Sequence, residues 1–243
     1  LNAKMMVMKH FFLFNTLIFL IFSSIFGQIE VKSYHLDAID EQYFSSQDDN
    51  MERYLKQLKR KMDQQMEIEV GYSDRELSND IPNELPYLLT RLLCEHVQSF
   101  SVMHDRDSVD IALLNYGGIR ASLPQGMLTV GDFYRILPFE NLIVLLDIKG
   151  SELQKIVEIE RKRDVAAFYG LQILENNQKI TINGKFLVPE ETYRIVTVDF
   201  IASGGDNILK DIEFKYVVNT MQLLRDGILE EVKKMSAHGE HIK

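Results

Sequence analysis

Cysteine and positive charge are both scarce in this chain. Of its 243 residues only Cys94 is a cysteine, so no internal disulfide can form and packing must hold the fold. Cys94 lies within an apolar helical pattern, which predicts a buried small side chain and not a reactive thiol. Lysine and arginine number 27 against 36 aspartate and glutamate residues, a net charge of −9. This composition argues against nucleic-acid binding, which needs a basic face.

Long hydrophobic runs are also scarce, and the one present lies near the start of the chain. Phe11–Phe26 carries no charge, follows Lys4 and Lys9, and precedes the small residue Gly27. A positive start, a short apolar core and a small residue at the cut are typical of a secretory signal peptide, predicted here over residues 1–27. The run is shorter than the about 20 residues of a membrane span. An uncleaved N-terminal membrane anchor stays the alternative.

The remainder of the chain has the size of a single domain. Removal of residues 1–27 would leave 216 residues with a net charge of −11, because two lysines and no acid leave with that segment. This length suits one domain with a full core, predicted over residues 28–243. We expect a periplasmic or secreted bacterial protein, since an exported chain without disulfides fits a periplasm, and no stable membrane insertion after cleavage.

Helical and strand patterns alternate along this domain, without repeats or low-complexity tracts. Asn183-Gly184 is a strong hairpin signal, which favours a mixed sheet and an α/β (α+β) class. Apolar residues at helical spacing predict helices over Met51–Gln65, from Pro82–Pro86 onward, and over Thr129–Ile136, Gly150–Arg163 and Thr220–Met235. Short apolar runs predict strands at Glu67–Tyr72, Val109–Leu114, Leu142–Ile148, Phe168–Leu174, Lys179–Ile182, Tyr193–Val198 and Ile212–Val218.

Three short motifs carry residues suited to holding a nucleotide. They are Asn115-Tyr116-Gly117-Gly118-Ile119-Arg120, Leu137-Pro138-Phe139-Glu140-Asn141, and Asp199-Phe200-Ile201-Ala202-Ser203-Gly204-Gly205-Asp206. The first and the third directly follow predicted strands. Each contains a pair of glycines, where the backbone must turn sharply or let a ligand come close.

Each motif offers a group with defined chemistry. The guanidinium of Arg120 is always charged and matches phosphate oxygens, although a surface arginine after an ordinary turn would look the same. Phe139 and Phe200 could stack on the two faces of a base, or could simply pack in the core. Asp206 could accept two hydroxyl donors, or could hydrogen-bond its own turn.

In this order the motifs resemble those of the C-terminal domain of the secreted 5'-nucleotidase / 2',3'-cyclic phosphodiesterase family. The resemblance covers roughly Glu67–Ile208 and implies helices packed outside a mixed sheet core. It also implies that the chain binds a nucleotide or nucleoside. The implied substrate-binding residues are Asn115, Gly117, Gly118, Arg120, Phe139, Asn141, Phe200 and Asp206.

The resemblance assigns these residues distinct parts of the ligand. Phe139 and Phe200 stack on the base, Asp206 accepts hydrogen bonds from the ribose hydroxyls, and Arg120 holds the phosphate side. Asn115 and Asn141 lie near the base, and either could equally be a turn residue. The family usually has another arginine shortly before the helix that starts near Glu84. The matching stretch, Leu77–Ile81, contains none, and Arg75 lies slightly too early.

The catalytic half of the family is not recognisable in this sequence. The family hydrolyses phosphate esters with two metal ions held by a separate N-terminal domain, which needs many converging ligands. The six histidines here form no Asp-x-His or Gly-Asn-His-Glu type element. His104 lies beside acidic residues that could bind an adventitious metal ion, but this pattern is much more typical of a solvent-exposed turn. We therefore expect no catalytic residue, metal ligand or cofactor in this chain. The divalent metal pair, such as Mn, Zn or Mg, would belong to a partner metallophosphatase chain.

Three hypotheses remain at the level of sequence. The chain is the substrate-binding half of a split periplasmic 5'-nucleotidase, or a stand-alone nucleotide-binding module, or a structural remnant of the fold. The first is favoured, because binding residues are retained without any catalytic ones. Aromatic stacking tolerates every base, so the preferred nucleotide stays open.

Overall fold

The computed structural model describes residues 49–81, 84–99, 108–174 and 179–243. Residues Tyr54–Lys243 form one compact unit. The predicted signal peptide, the domain start at residue 28 and His104 all lie outside the described residues. Among the residues that are described, no helix is long and apolar enough to cross a membrane.

Helices and strands alternate along the described chain. The helices are α1 (Asp49–Met66), α2 (Leu85–Gln98), α3 (Val130–Ile136), α4 (Gly150–Arg163), α5 (Asp199–Ala202) and α6 (Leu224–Ala237). The strands are β1 (Glu69–Ser73), β2 (Ile111–Asn115), β3 (Gly126–Thr129), β4 (Leu142–Lys149), β5 (Ala166–Tyr169), β6 (Leu171–Leu174), β7 (Lys179–Ile182), β8 (Lys185–Phe186), β9 (Thr192–Val198) and β10 (Phe214–Leu223). Two further single turns of 3-10 helix are Tyr116–Gly118 and Gly205–Asn207.

A mixed five-stranded sheet organises the core, in the order β10-β4-β9-β2-β5. Strands β9 and β2 are parallel, and the other neighbours are antiparallel. Every residue of β2 is buried, as expected for a strand that is covered on both faces. Helix α2 contacts β2 and β5, and α4 contacts β4. The predicted architecture of helices on a mixed sheet is therefore confirmed.

Gly170 and Gly184 lie at turns that border strands of the three-stranded sheet β6-β7-β8. Asn183 and Gly184 have φ values of 48° and 79°, which form the tight turn between β7 and β8 and confirm the predicted hairpin. The single strand predicted over Phe168–Leu174 is wrong, because the chain breaks at Gly170. Its φ is +84°, and a Cβ there would lie 2.2 Å from the carbonyl oxygen of Asp110.

The C-terminal boundary also differs from the prediction. The sequence pattern predicts a helix from Thr220, but β10 continues to Leu223 and α6 begins at Leu224. Leu223 pairs with Leu142 of β4, and the register shifts where Met221 has a φ of 58°. Pairing with β4 thus overrides the local helical preference of these residues.

The environment of Cys94 is apolar. The residue is buried in α2, and this burial raises the pKa of its thiol to about 12. At neutral pH the thiolate is therefore scarce. The prediction of a buried small side chain is confirmed.

Helix α1 is amphipathic, as predicted, but its apolar stripe faces outward. Tyr54, Leu55, Leu58 and Met62 recur at helical spacing and are 44–57% exposed. An apolar helical stripe normally packs against a core. Here it forms an exposed apolar surface of the kind that marks interaction sites.

Candidate functional site

The first and third motifs meet because their strands are parallel neighbours. Strand β2 ends at Asn115 and leads into the turn Tyr116–Gly118. Strand β9 ends at Val198 and leads into α5 and then the turn Gly205–Asn207. The carboxyl ends of parallel neighbours lie at the same edge of a sheet. The two glycine-containing motifs therefore share one edge, although they are about eighty residues apart in sequence.

A hydrogen bond joins these motifs directly. The buried Asn115 side chain donates from Nδ2 to Oδ2 of Asp206, at 2.6 Å. Both glycines of the first motif lie against this pair. A Cβ on Gly117 would be 3.4 Å from Oδ2 of Asp206, and one on Gly118 would be 3.0 Å from Oδ1 of Asn115. The contact at Gly117 would be an ordinary one, but that at Gly118 would be tight, so the absence of a side chain at Gly118 leaves room for Asn115.

Asp206 has a constrained backbone. Its φ is 52°, and that of Asn207 is 53°, so two consecutive residues adopt the left-handed conformation. This conformation costs about 1 kcal/mol or more per residue, although Asp and Asn tolerate it better than most. The carbonyl oxygen of Asp206 accepts a hydrogen bond from Nη1 of Arg163 at 2.8 Å. Asp206 is thus contacted from two separate elements, β2 and α4.

Arg120 combines a fixed backbone with an exposed side chain. Its backbone N–H donates to the carbonyl oxygen of Ile136 at 2.8 Å. Its Nη1 donates to the carbonyl oxygen of Gly117 at 3.4 Å, a long hydrogen bond. The guanidinium therefore lies beside the turn that carries Asn115, with donors at the protein surface.

The second motif is tied to the third through Asp199. Oδ1 of Asp199 accepts hydrogen bonds from the backbone N–H of Leu142, at 3.0 Å, and from that of Phe200, at 2.8 Å. The loop that carries Phe139 is thereby held next to the start of α5. The rings of Phe139 and Phe200 are 48% and 43% exposed, which is unusual for phenylalanine.

The Phe200 ring rests on a glycine. A Cβ placed on Gly205 would come within 2.4–2.6 Å of three ring atoms of Phe200. No side chain fits between that backbone and the ring, so Gly205 determines where the exposed ring lies.

The loop Leu137-Pro138-Phe139-Glu140-Asn141 is supported from α6. Arg225 is buried, donates from Nη1 to the carbonyl oxygen of Leu137 at 2.9 Å, and stacks over the Tyr134 ring with its guanidinium carbon 3.9 Å from the centroid. The carbonyl oxygen of Asn141 accepts from the backbone N–H of Leu224 at 2.9 Å. The backbone of Asn141 is thus structural, and a contact of its side chain with a base stays a prediction.

The opposite side of the first motif borders an acidic patch. The backbone N–H of Tyr116 donates to the carbonyl oxygen of Val165 at 2.9 Å. Burial, with Asp164 and Glu160 nearby, raises the pKa of Tyr116 to about 12. The phenol therefore stays neutral at physiological pH. The side-chain carboxylate of Glu160 accepts a hydrogen bond from the backbone N–H of Ala166 at 3.0 Å, which links the end of α4 to β5.

Glu160 should make stability depend on pH. Burial raises the pKa of this carboxyl above its ordinary 4.5, so the folded chain binds the proton more tightly than the unfolded chain does. Its contribution to the free energy of unfolding is full below pH 4.5 and is lost as pH rises through the raised pKa. We expect Glu160→Gln, which keeps an acceptor for Ala166, to gain stability relative to wild type between pH 4 and pH 7. Urea denaturation across this range measures the difference.

The control for this experiment is Glu190→Gln, on an exposed position in the turn before β9. It should leave the pH profile of stability close to that of wild type. A Glu160→Gln profile parallel to that of wild type would contradict the expectation.

Arg75 is not a direct substitute for the family arginine that is missing from Leu77–Ile81. Its Nη1 lies 2.9 Å from Oε1 of Glu84 in an ion pair. The other oxygen of Glu84 accepts from the backbone N–H of Ser78 at 2.7 Å. This N–H, together with Arg75, holds the pKa of Glu84 below its ordinary value. Arg75 is thus engaged in closing the turn before α2.

Sequence reasoning missed three residues that shape this site: Asp199, Arg163 and Arg225. Asp199 directly follows a predicted strand, and an acid at that place is a usable signal for a helix start. Arg163 and Arg225 carry no local signal, because each contacts a loop that is distant in sequence. The described residues contain no group of three or more His, Cys, Asp and Glu side chains that could hold a metal ion.

The family profile described as 5'-nucleotidase, C-terminal domain, matches residues 89–211, about half of the chain, and spans all three motifs. This chain belongs to that family. The family identified from the motifs is thus confirmed, and with it the α/β fold of a 5'-nucleotidase C-terminal domain.

Two similar proteins are substantially longer than this chain. Protein UshA of Yersinia enterocolitica is 27% identical over 237 residues, which cover 86% of this chain and 42% of UshA. The 5'-nucleotidase of Vibrio cholerae is 28% identical over 185 residues, which cover 72% of this chain and 32% of that protein. The chain therefore spans less than half the length of these relatives.

Solved structures show the same relation. The 5'-nucleotidase precursor from Thermus thermophilus matches with a TM-score of 0.62 and 25% identity, over 76% of this chain and 40% of that protein. The NAD nucleotidase of Haemophilus influenzae matches with a TM-score of 0.53 at 18% identity, over 80% of this chain and 40% of that protein, which indicates the fold alone.

Proposed function

We propose that this chain is the substrate-binding half of a 5'-nucleotidase-type phosphohydrolase and acts with a separate dimetal phosphatase chain in the periplasm or outside the cell. One observation carries the proposal: the Asn115–Asp206 hydrogen bond joins two motifs of the family at one sheet edge. An exposed arginine and two exposed phenylalanines accompany this contact. Charge and aromatic faces of this kind suit a nucleotide.

The proposed roles follow the chemistry of each side chain. Phe139 and Phe200 stack on the base, and Asp206 accepts from the ribose hydroxyls, with Asn115 holding its carboxylate in place. Arg120 attracts the phosphate, for which a planar and permanently charged fork of donors is suited. The exposed glycine turn at Gly117 lets the ligand approach the backbone.

The hydrolytic step would be supplied from outside the described residues. Relatives named as 5'-nucleotidases are more than twice as long as the part that this chain matches. The partner chain would hold a divalent metal pair such as Mn, Zn or Mg, which supplies the chemistry for phosphate-ester hydrolysis. The exposed apolar stripe of α1 gives this domain a surface suited to contact with a partner.

The first experiment measures binding of AMP and adenosine to the purified chain by calorimetry. We expect binding of both, and a larger loss for AMP than for adenosine in Arg120→Ala. The control is Arg135→Ala, because Arg135 is an exposed arginine that pairs with Asp132. Equal affinities of wild type and Arg120→Ala for AMP would show that Arg120 does not contribute to nucleotide binding.

The second experiment measures phosphate release from AMP with Mn²⁺, for the chain alone and mixed with a metallophosphatase encoded beside it. Activity only in the mixture, reduced by Arg120→Ala, is the expected result. Binding without activity in the mixture would instead favour a non-catalytic nucleotide-binding module. Absence of both would favour a structural remnant of the fold.

A further inference from the structure

Arg163 reaches the candidate site from an element that none of the three motifs includes. It is the last residue of α4, and its exposed side chain donates to the carbonyl oxygen of Asp206 at 2.8 Å. We propose that Arg163 is a positioning residue that acts through Asp206 on the ribose of the bound nucleotide. The inference rests on the proposed function, in which Asp206 accepts from the ribose hydroxyls.

The position of Arg163 is itself fixed by the fold. After it, Asp164 ends α4 in the left-handed conformation and donates to the carbonyl oxygen of Glu160. The Glu160 side chain accepts from Ala166, and Val165 accepts from the backbone of Tyr116 in the first motif. The end of α4 is therefore tied both to β5 and to the first motif. A basic residue there is also favoured by the negative end of the helix dipole.

Asp206 needs such support because its turn is not held by local geometry alone. Asp206 and Asn207 both have positive φ values, and Ile208 anchors the turn in the core. Asn115 holds the carboxylate, and Arg163 holds the carbonyl oxygen of the same residue. Two donors from separate elements thus fix both the backbone and the side chain of Asp206.

A fixed carboxylate binds hydroxyls better than a mobile one, because less freedom is lost when the ligand binds. Without Arg163, the turn would lose this hydrogen bond to α4, and the carbonyl oxygen of Asp206 would lose its donor. The weakened part of the ligand would be the ribose. Direct contact of Arg163 with phosphate is the competing interpretation, and the choice of ligands separates the two.

The test compares adenosine, 2',3'-dideoxyadenosine and AMP by calorimetry on the purified chain. In Arg163→Met, which removes both the charge and every donor, we expect affinity for adenosine and for AMP to fall about tenfold, and that for the dideoxy compound to change less than about twofold. Arg163→Lys, which keeps a donor, should recover part of the loss. Lys162→Met, at the exposed neighbouring position, removes the same charge and should have no effect. Thermal melting verifies that each variant folds.

Three results would overturn the proposal while the wild-type chain binds adenosine. They are an unchanged affinity in Arg163→Met, equal losses for adenosine and its dideoxy analogue, or a loss confined to AMP, which would make Arg163 a phosphate ligand. A wild-type chain that binds none of the three compounds would instead overturn the proposed function, and this inference with it.

Discussion

Gly205→Ala is expected to weaken nucleotide binding about tenfold to a hundredfold with little loss of stability. The new Cβ would lie 2.4–2.6 Å from the Phe200 ring, so the ring must move. Gly205 does not have a positive φ, and alanine is therefore compatible with its backbone. The ring is half-exposed and can turn outward at small cost, but it then leaves the face of the base. Stacking on one aromatic side chain contributes about 1–3 kcal/mol.

A double-mutant cycle shows whether the ring transmits this effect. Phe200→Ala alone should reduce affinity for AMP by a similar factor, because it also removes the stacking surface. Gly205→Ala in the Phe200→Ala background should then change affinity less than about twofold, since the clash is gone. Calorimetry on the four proteins gives the coupling energy. Additive losses would mean that Gly205 acts on the ligand directly and not through Phe200.

Arg194→Met is expected to lower the free energy of unfolding by about 3 kcal/mol. Arg194 is buried in β9 and donates from Nε and Nη2 to the two carboxylate oxygens of Asp147 in β4, at 2.9 and 3.1 Å. Removing one partner of a buried pair leaves the other charge without compensation, at a cost of about 3–5 kcal/mol. The lower end applies because the Asp147 side chain is 17% exposed. The total free energy of unfolding of a typical domain is about 5–15 kcal/mol.

Urea denaturation followed by circular dichroism measures this loss. Lys155→Met is the control, because it breaks an ion pair in which Lys155 is 57% exposed, and should cost less than about 1 kcal/mol. The double variant Arg194→Met, Asp147→Leu should recover much of the loss, since replacing both partners by apolar residues is often neutral. Equal stabilities of wild type and Arg194→Met would show that the pair contributes little to the fold.

The elements that matched the prediction are those in which local chemistry and tertiary packing favour the same structure. The run Tyr193–Val198 lies within β9, and Asn183-Gly184 forms the hairpin turn with the positive φ values that this pair of residues favours. Thr129 and Asp132 together cap the start of α3. This cap ends the preceding strand at the position where the sequence pattern changes. Such signals depend on neighbours in sequence and need no knowledge of the fold.

The errors occur where distant contacts prevail. Gly170 breaks a continuous apolar run because the carbonyl oxygen of Asp110 occupies the space beside it. Residues 220–223 have a helical apolar pattern but lie in β10, where Leu223 pairs with Leu142 of β4. In both cases the competing partner lies more than fifty positions away, so no local pattern contains it.

The family, the mixed α/β class and the residue types of the candidate site follow from the amino-acid sequence alone. These depend on motif order, glycine pairs and side-chain chemistry, all of which can be read along the chain. The way in which these residues are held depends on contacts in the folded chain. The parallel pairing of β2 with β9 brings Asn115 to Asp206, and Arg163 and Asp199 become part of the site through contacts with distant loops. Hydrogen bonds between distant segments depend on how strands and helices pack, and that packing is a property of the whole chain.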